Sequence, residues 1–351
     1  MELRLVTNIS STDFENFIGR IKKMKKNILV LIFVMLFSVN LVACGTDKTD
    51  SVSGKIQVVA TIFPEYDWVK EIVGDNDDVE ISMLLDNGAD LHSYQPTAND
   101  ILKISTCDLF IYVGGESDEW VDDALNEAVN KDMVVLNLMD IMGDDAKEEE
   151  VVEGMQAEEE DADHEDSEQE EEVEYDEHVW LSLKNASIIC NKISDALCKI
   201  DSANADSYKA NLETYTAKLN DLDASYKEAV DSAQTKTLLF GDRFPFRYLT
   251  DDYGLDYFAA FVGCSAETEA SFETIMFLAN KVDELSLKYV CTIENSDGKI
   301  AETIIQNTKS KDAKVLKLNS MQSVNATDVE NGASYYNIMN ENLEALKTAL
   351  D

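Results

Sequence analysis

Short apolar runs rich in β-branched residues alternate along the chain with amphipathic stretches of helical period. In the first half the runs are 55–62 (KIQVVATI), 78–85 (DVEISMLL), 108–114 (DLFIYVG) and 133–138 (MVVLNL). The second half repeats the scheme at 235–241 (TKTLLFG), 256–261 (DYFAAF), 289–294 (YVCTIE) and 313–318 (AKVLKL). Strands alternating with helices predict an α/β fold with mostly parallel sheets, built as two similar lobes.

Between the halves, Tyr208, Leu212, Tyr215, Leu219, Leu222 and Tyr226 follow one another at spacings of 4 and 3, an apolar stripe on one helical face. A coiled-coil arm carries the same stripe. With no repeat partner in the chain, the stripe predicts one long rigid helix over 201–233 that joins an N-terminal lobe (55–200) to a C-terminal lobe (234–351). The last segment, 334–350, reads as an amphipathic helix opened by Ser334, with Met339 and Leu343 facing the core.

The N-terminus breaks this rhythm. Lys22, Lys23, Lys25 and Lys26 precede an apolar run over 28–37 (ILVLIFVMLF), and Leu41-Val42-Ala43-Cys44 closes it with small residues. That order is an export signal over 1–43, with translation expected to start at Met24. A transmembrane anchor needs about 20 apolar residues, more than this run supplies. Residues 44–54 then form a linker to the first lobe.

Charge changes the picture in one place. The 351-residue chain carries a formal net charge of −41, which disfavours nucleic acid and favours cations as partners. Twenty Asp and Glu fall between Asp144 and Glu177 against one lysine, with few large apolar residues among them. Such a run buries too little surface to offset its ordering entropy, so 144–175 is expected to be a disordered acidic loop. Beyond Cys44, the cysteines Cys107, Cys190, Cys198, Cys264 and Cys291 form no C-x-x-C pair. No disulfide framework follows, and they read as small buried apolar residues.

Candidate chemistry rests on histidine, of which there are three. His92 lies in GADLHSYQPTANDI (88–101) and His178 in DEHVWLSLKNA (176–186), each beyond a predicted strand. Ligands in α/β sheets bind beyond the carboxyl ends of strands, and two facing lobes would make a cleft there. A lone histidine is more often structural than a ligand; two of three in such loops point to a metal. Both strings resemble the metal-ligand segments of the zinc/manganese-type solute-binding lipoproteins of bacterial ABC importers. Tyr253-Gly254-Leu255, SAETEAS (265–271), IENSDGKIAETI (293–304) and SYYNIMNENLEALKTAL (334–350) extend the likeness over 55–351. The Leu41–Cys44 string is similar to their lipobox.

The resemblance implies a monomeric lipoprotein, lipidated on Cys44 and held at the extracytoplasmic face of the cell membrane. It implies capture of a divalent metal ion between the lobes and delivery to the importer's permease. It also implies four metal ligands, and here the chain departs from the pattern. The family's third ligand falls on Arg243 in GDRFPFRYL (241–249), a side chain with no lone pair for a metal, and the fourth falls near Asn319. Asp242, or secondarily Glu294, is expected to complete the set, with Arg243 turned away to pair with Glu294 or Glu269. His164 of the acidic loop is an alternative ligand; a third reading is a site that has lost tight metal binding and clamps an anion with Arg243. Asp242 can equally be a helix N-cap, and Glu294 and Glu269 loop anchors. Two imidazoles and two carboxylates suit zinc or manganese, and the charged insertion resembles the zinc branch. Rival functions are a secreted metal-dependent hydrolase, which would need a nucleophile or base that no H-E-x-x-H or G-x-S-x-G string supplies, and a cell-surface adhesin.

Overall fold

Eight strands form two parallel four-stranded sheets, and each strand lies within or overlaps one of the eight apolar runs. The computed structural model describes residues 54–156, 174–265 and 269–351. The export segment, Cys44, most of the linker and His164 lie outside the described residues. In the first lobe, β1 (Ile56–Ala60), β2 (Val79–Met83), β3 (Leu109–Tyr112) and β4 (Val134–Asn137) stand in the order β2-β1-β3-β4. Connecting them are α1 (Phe63–Val73), α2 (Ala98–Thr106) and α3 (Trp120–Asn126), with the short α4 (Leu138–Met142) after β4. Helix α5 (Leu183–Ile200) completes the lobe.

The second lobe holds β5 (Thr237–Phe244), β6 (Asp256–Val262), β7 (Tyr289–Thr292) and β8 (Lys314–Lys317), preceded by the linking helix α6 (Ala205–Ser232). Their order, β6-β5-β7-β8, repeats that of the first lobe, and every pairing is parallel. Between them run α7 (Arg247–Tyr253), α8 (Phe272–Leu285), α9 (Lys299–Asn307) and α10 (Ala326–Glu330), and α11 (Tyr335–Leu350) ends the chain.

The stripe on α6 is what binds the lobes. Tyr208, Tyr215, Leu219, Leu222 and Tyr226 are buried in a hydrophobic cluster that contains residues of both lobes, from Val58 and Trp68 to Leu238 and Leu346. Helix α6 packs on α1 and α5 of the first lobe and on α11 of the second. The buried hydroxyl of Tyr226 donates to the Met339 carbonyl at 2.6 Å, so the helix is tied as well as packed. Helix α11 crosses back to α1: the Tyr335 N–H donates to Asp67 Oδ2 at 2.8 Å and its hydroxyl to the Trp180 carbonyl at 2.6 Å. Met339 and Leu343 are buried there. One continuous core under both lobes resists hinge opening, because separating them would expose close-packed apolar surface.

The acidic segment departs from expectation at both of its ends. Residues 147–156 dock onto the second lobe, and 174–175 pair back with 148–149. The Gln156 N–H donates to the Ala260 carbonyl at 2.9 Å beside β6, the Lys147 N–H donates to Tyr248 Oη at 3.0 Å, and Arg247 pairs with Glu150 at 3.1 Å. Backbone partners, which composition does not register, hold these residues. Residues 157–173 lie outside the described residues. The five cysteines beyond Cys44 are free thiols, and three of them, Cys107, Cys190 and Cys291, are buried.

Candidate metal centre

Loops beyond strand ends bring the two histidines together. After β2 the chain turns through 91–93, where the Asp90 side chain accepts the His92 N–H at 3.1 Å and fixes the loop. His178 precedes the turn 179–181, which is pinned by the buried Trp180 donating Nε1–H to the Ser320 carbonyl at 2.8 Å. Asp176 Oδ1 accepts both the His178 backbone N–H (2.8 Å) and its Nδ1–H (2.9 Å). A carboxylate on Nδ1 selects the tautomer whose Nε2 lone pair is free for a metal.

The Nε2 atoms of His92 and His178 lie 3.2 Å apart. In tetrahedral zinc with Zn–N bonds of ~2.0–2.1 Å, two nitrogen ligands sit about 3.3 Å from each other. The spacing therefore fits two imidazoles sharing one ion. His92 Nδ1 is 2.8 Å from Ser117 Oγ, and Glu177 accepts the Ser117 N–H at 2.9 Å. Gly115, at φ +80°, makes room for that carboxylate: a Cβ there would meet Glu177 Oε1 at 2.3 Å. Cys264 offers a third potential donor. Its sulfur and the two imidazole nitrogens all lie within 4.8 Å of one another, a set of potential metal donors among the described residues.

Charge around the cluster is negative. A cavity of about 260 Å³ opens onto it, lined by His92, Cys264, Glu116, Glu149, Glu174 and Glu177 among others. Carboxylates gathered in a low-dielectric cleft concentrate cations. Burial pushes Glu149 up to about 7 and raises Glu177, both strained by the loss of water that a bound cation would offset. Burial, then the charge of His178, pushes His92 down to about 3, so its ring is neutral and able to ligate at neutral pH. Burial, then Asp176 and Glu149, raises the Cys264 thiol far above its ordinary range.

The carboxylates expected from the second lobe are elsewhere. Asp242 accepts the backbone N–H groups of Arg243 (3.0 Å) and Ile293 (3.4 Å), and Glu294 accepts the Ser320 N–H (2.7 Å) and the hydroxyls of Ser320 and Ser323. Both anchor loops, and neither joins the donor cluster. Arg243 does turn away from the metal position, but not toward Glu294 or Glu269. Its guanidinium pairs with Asp90 of the first lobe and donates to Gln322 Oε1 at 3.0 Å. A register shift in β5 between Phe240 and Arg243 accompanies that direction, as strand bulges re-aim side chains. Burial opposes ionisation of Asp90, yet the charge and hydrogen bond of Arg243 outweigh it and hold the carboxyl below its ordinary range. Asn319 caps its own turn, accepting the Met321 N–H at 2.8 Å.

Sequence reasoning missed Cys264 and Glu149. The signal for Cys264 was its address: it stands two residues beyond β6, at the same end of a parallel strand that marked His92. Glu149 was hidden within a run of like residues. Its Oε1 accepts the Cys264 N–H at 3.3 Å, which joins the acidic segment to the site.

Comparison with known proteins decides the family. The family described as zinc-uptake complex component A, periplasmic, matches residues 58–349. The chain belongs to this family. It is 32% identical over 312 residues to the high-affinity zinc uptake system protein ZnuA of Bacillus subtilis (strain 168), covering 88% of this chain and 93% of that protein. It is 30% identical over 307 residues to the zinc-binding protein AdcA of Streptococcus pyogenes serotype M3, covering 85% of this chain. The chain spans 56% of that relative's length. The crystal structure of the Zn(II)-bound ZnuA-like domain of Streptococcus pneumoniae AdcA superposes with a TM-score of 0.65 at 26% identity, over 85% of this chain and all of that one. Members of this family are metal-binding transport proteins.

Proposed function

We propose that this chain is the extracytoplasmic solute-binding lipoprotein of a bacterial ABC importer, capturing zinc between its lobes and presenting it to the permease. The observation that carries the reading is the 3.2 Å approach of His92 Nε2 and His178 Nε2 beside an acidic cavity that His92 lines. Asp176 orients one ring and Ser117 meets the other, so the two lone pairs converge without rearrangement. Imidazole donors suit zinc better than manganese, which takes mostly oxygen ligands. The zinc-binding name of AdcA and the zinc-uptake name of ZnuA support the same assignment.

The core shared by the lobes suits a receptor that changes little on binding, the permease then reading the filled cleft and its rim. Anchoring follows from the sequence: diacylglyceryl transfer to Cys44 would hold a monomer at the outer face of the membrane, since two acyl chains bind stably where one does not. The deciding experiment is metal content of the purified protein followed by competition titration with zinc and manganese. Tight zinc binding at one ion per chain, with manganese far weaker, is expected; binding of neither metal would overturn the reading. Cys44→Ser is expected to release the protein from the membrane fraction.

A further inference from the structure

The first lobe supplies His92 and His178, and the residue at the family's third-ligand position, Arg243, is committed to Asp90 and Gln322. Asp242 and Glu294 are held by backbone and serine donors. The geometry points to Cys264 as the metal ligand contributed by the second lobe, giving a site of two imidazoles and one thiolate selective for zinc over manganese. This rests on the zinc-capture reading and goes beyond it by naming the donor that closes the site.

Three observations place the sulfur there. It lies within 4.8 Å of both imidazole donors. In a tetrahedral site with Zn–S of ~2.3 Å, the sulfur-to-nitrogen separation is about 3.6 Å, so the loop needs to close by roughly 1 Å. The loop is in contact with the histidine: a Cβ on Gly263 would come within 3.0 Å of His178 Cε1 and 2.9 Å of the Phe244 carbonyl. Only glycine lets Cys264 approach that closely. The residue is also held in place, its N–H donating to Glu149 Oε1 at 3.3 Å. On binding, the Cys264 thiol releases its proton to water as the Zn–S bond forms, and no electron is transferred. A divalent ion deprotonates a coordinating thiol outright, whatever its value without the metal.

Soft sulfur separates metals that two imidazoles alone would not. Thiolate favours zinc, and manganese prefers carboxylate and water. A cysteine acting only as a small apolar filler would confer no such preference.

The test uses the full chain stripped of metal by a chelator, titrated with cobalt(II) as a spectroscopic probe and with zinc by competition. Wild type is expected to show a thiolate-to-cobalt charge-transfer band in the near ultraviolet. Cys264→Ser is expected to lose that band and to lose more than ~100-fold in zinc affinity, beyond what removal of a ligand-supporting residue costs. Its manganese affinity should change by less than ~3-fold, because no soft donor is being used by that ion. Cys264→His, which keeps a nitrogen donor, is expected to recover zinc affinity without the band. Wild-type protein that binds zinc and cobalt with no charge-transfer band overturns the proposal and leaves zinc capture standing. Wild-type protein that binds neither metal overturns both. The wild-type spectrum decides the matter even if Cys264→Ser fails to fold.

Discussion

In the first lobe the loops of the cleft carry two imidazoles, one ring held by Asp176 and the other's loop by Asp90, whereas the second lobe offers a guanidinium at the end of β5, past its bulge, and a thiol in the loop after β6. The sheets beneath are the same, four parallel strands in one order. A common frame thus delivers side chains to a common place, and their chemistry sets whether they can ligate or latch. The first lobe presents the imidazoles of His92 and His178. The second latches with Arg243, which grips the Asp90 that positions His92.

The comparison is broken most forcefully from the first lobe. His178→Ala is expected to reduce zinc affinity by well over ~100-fold, since it removes a ligand and not merely a group that supports one. His92→Ala should do the same. Competition titration against a chromophoric chelator reads both. A variant of either histidine that binds zinc as wild type does would remove this cluster from the metal site.

Next in size is the acidic segment, where two deletions separate what docks from what does not. Removing 144–175 takes away Lys147, Glu149, Glu150 and Gln156, with their bonds to Tyr248, Cys264, Arg247 and Ala260. At about 0.5–1.5 kcal/mol for each ordinary hydrogen bond, several kcal/mol of stability should go, and the melting temperature with it. Removing only 157–173, which holds three apolar residues, Ala157, Ala162 and Val173, should leave the melting temperature nearly unchanged. Equal melting of the two deletion proteins would show that the docked ends contribute nothing.

Much of this frame was legible in the sequence, and the reason is periodicity. Parallel strands buried on both faces read as short apolar runs, and the tyrosine-leucine stripe of α6 kept its period over 208–226 because one face is buried throughout. His92 and His178 stood out because histidine is rare here and both lie beyond strands. What stayed hidden depends on tertiary neighbours. Arg243 finds a partner 153 residues earlier in the chain, and no local pattern announces that. Cys264 looks like core filler until the fold sets its sulfur beside two imidazoles. The ends of the acidic segment bind partly through backbone groups, which are the same whatever the side chains, and partly through Glu149 and Glu150, whose partners lie about a hundred residues away.

The latch gives a smaller effect than the ligands. Arg243→Ala removes a pair whose side chains are only 17% and 25% exposed, so solvent screens it incompletely. Its loss should cost stability near the lower end of the ~1.5–3 kcal/mol of hydrogen bonds to charged groups. Zinc affinity should fall by less than ~10-fold, through a looser His92 loop and not through a lost ligand. Chemical denaturation and zinc competition on the same variant separate the two effects. If affinity collapses as it does in His178→Ala, the latch is a requirement of binding.

The last expected effect is a slope with pH, and it too distinguishes the lobes, because three strongly shifted buried acids lie in the first. Burial, reinforced by Asp118, raises Glu65 from 4.5 to about 8, against the N–H and hydroxyl donors of Thr61 and the N–H of Ile62. Burial likewise pushes Asp118 up to about 7 and Asp67 up to about 6. Each folded value lies above its unfolded one, so the native state holds more protons than the unfolded chain between them. Stability from these groups is therefore complete below about pH 4 and lost as pH rises through about 6, 7 and 8. The urea midpoint of the metal-free protein is expected to fall across that window. Glu65→Gln, which cannot ionise and keeps an oxygen for the Thr61 and Ile62 donors, should abolish the fall between about pH 7 and 8 and shallow it between about pH 4.5 and 7, where Asp67 and Asp118 still contribute. A wild-type midpoint that rises from pH 5 to 8 would show that the donors around Glu65 outweigh its burial, and that the first lobe carries its acids ionised.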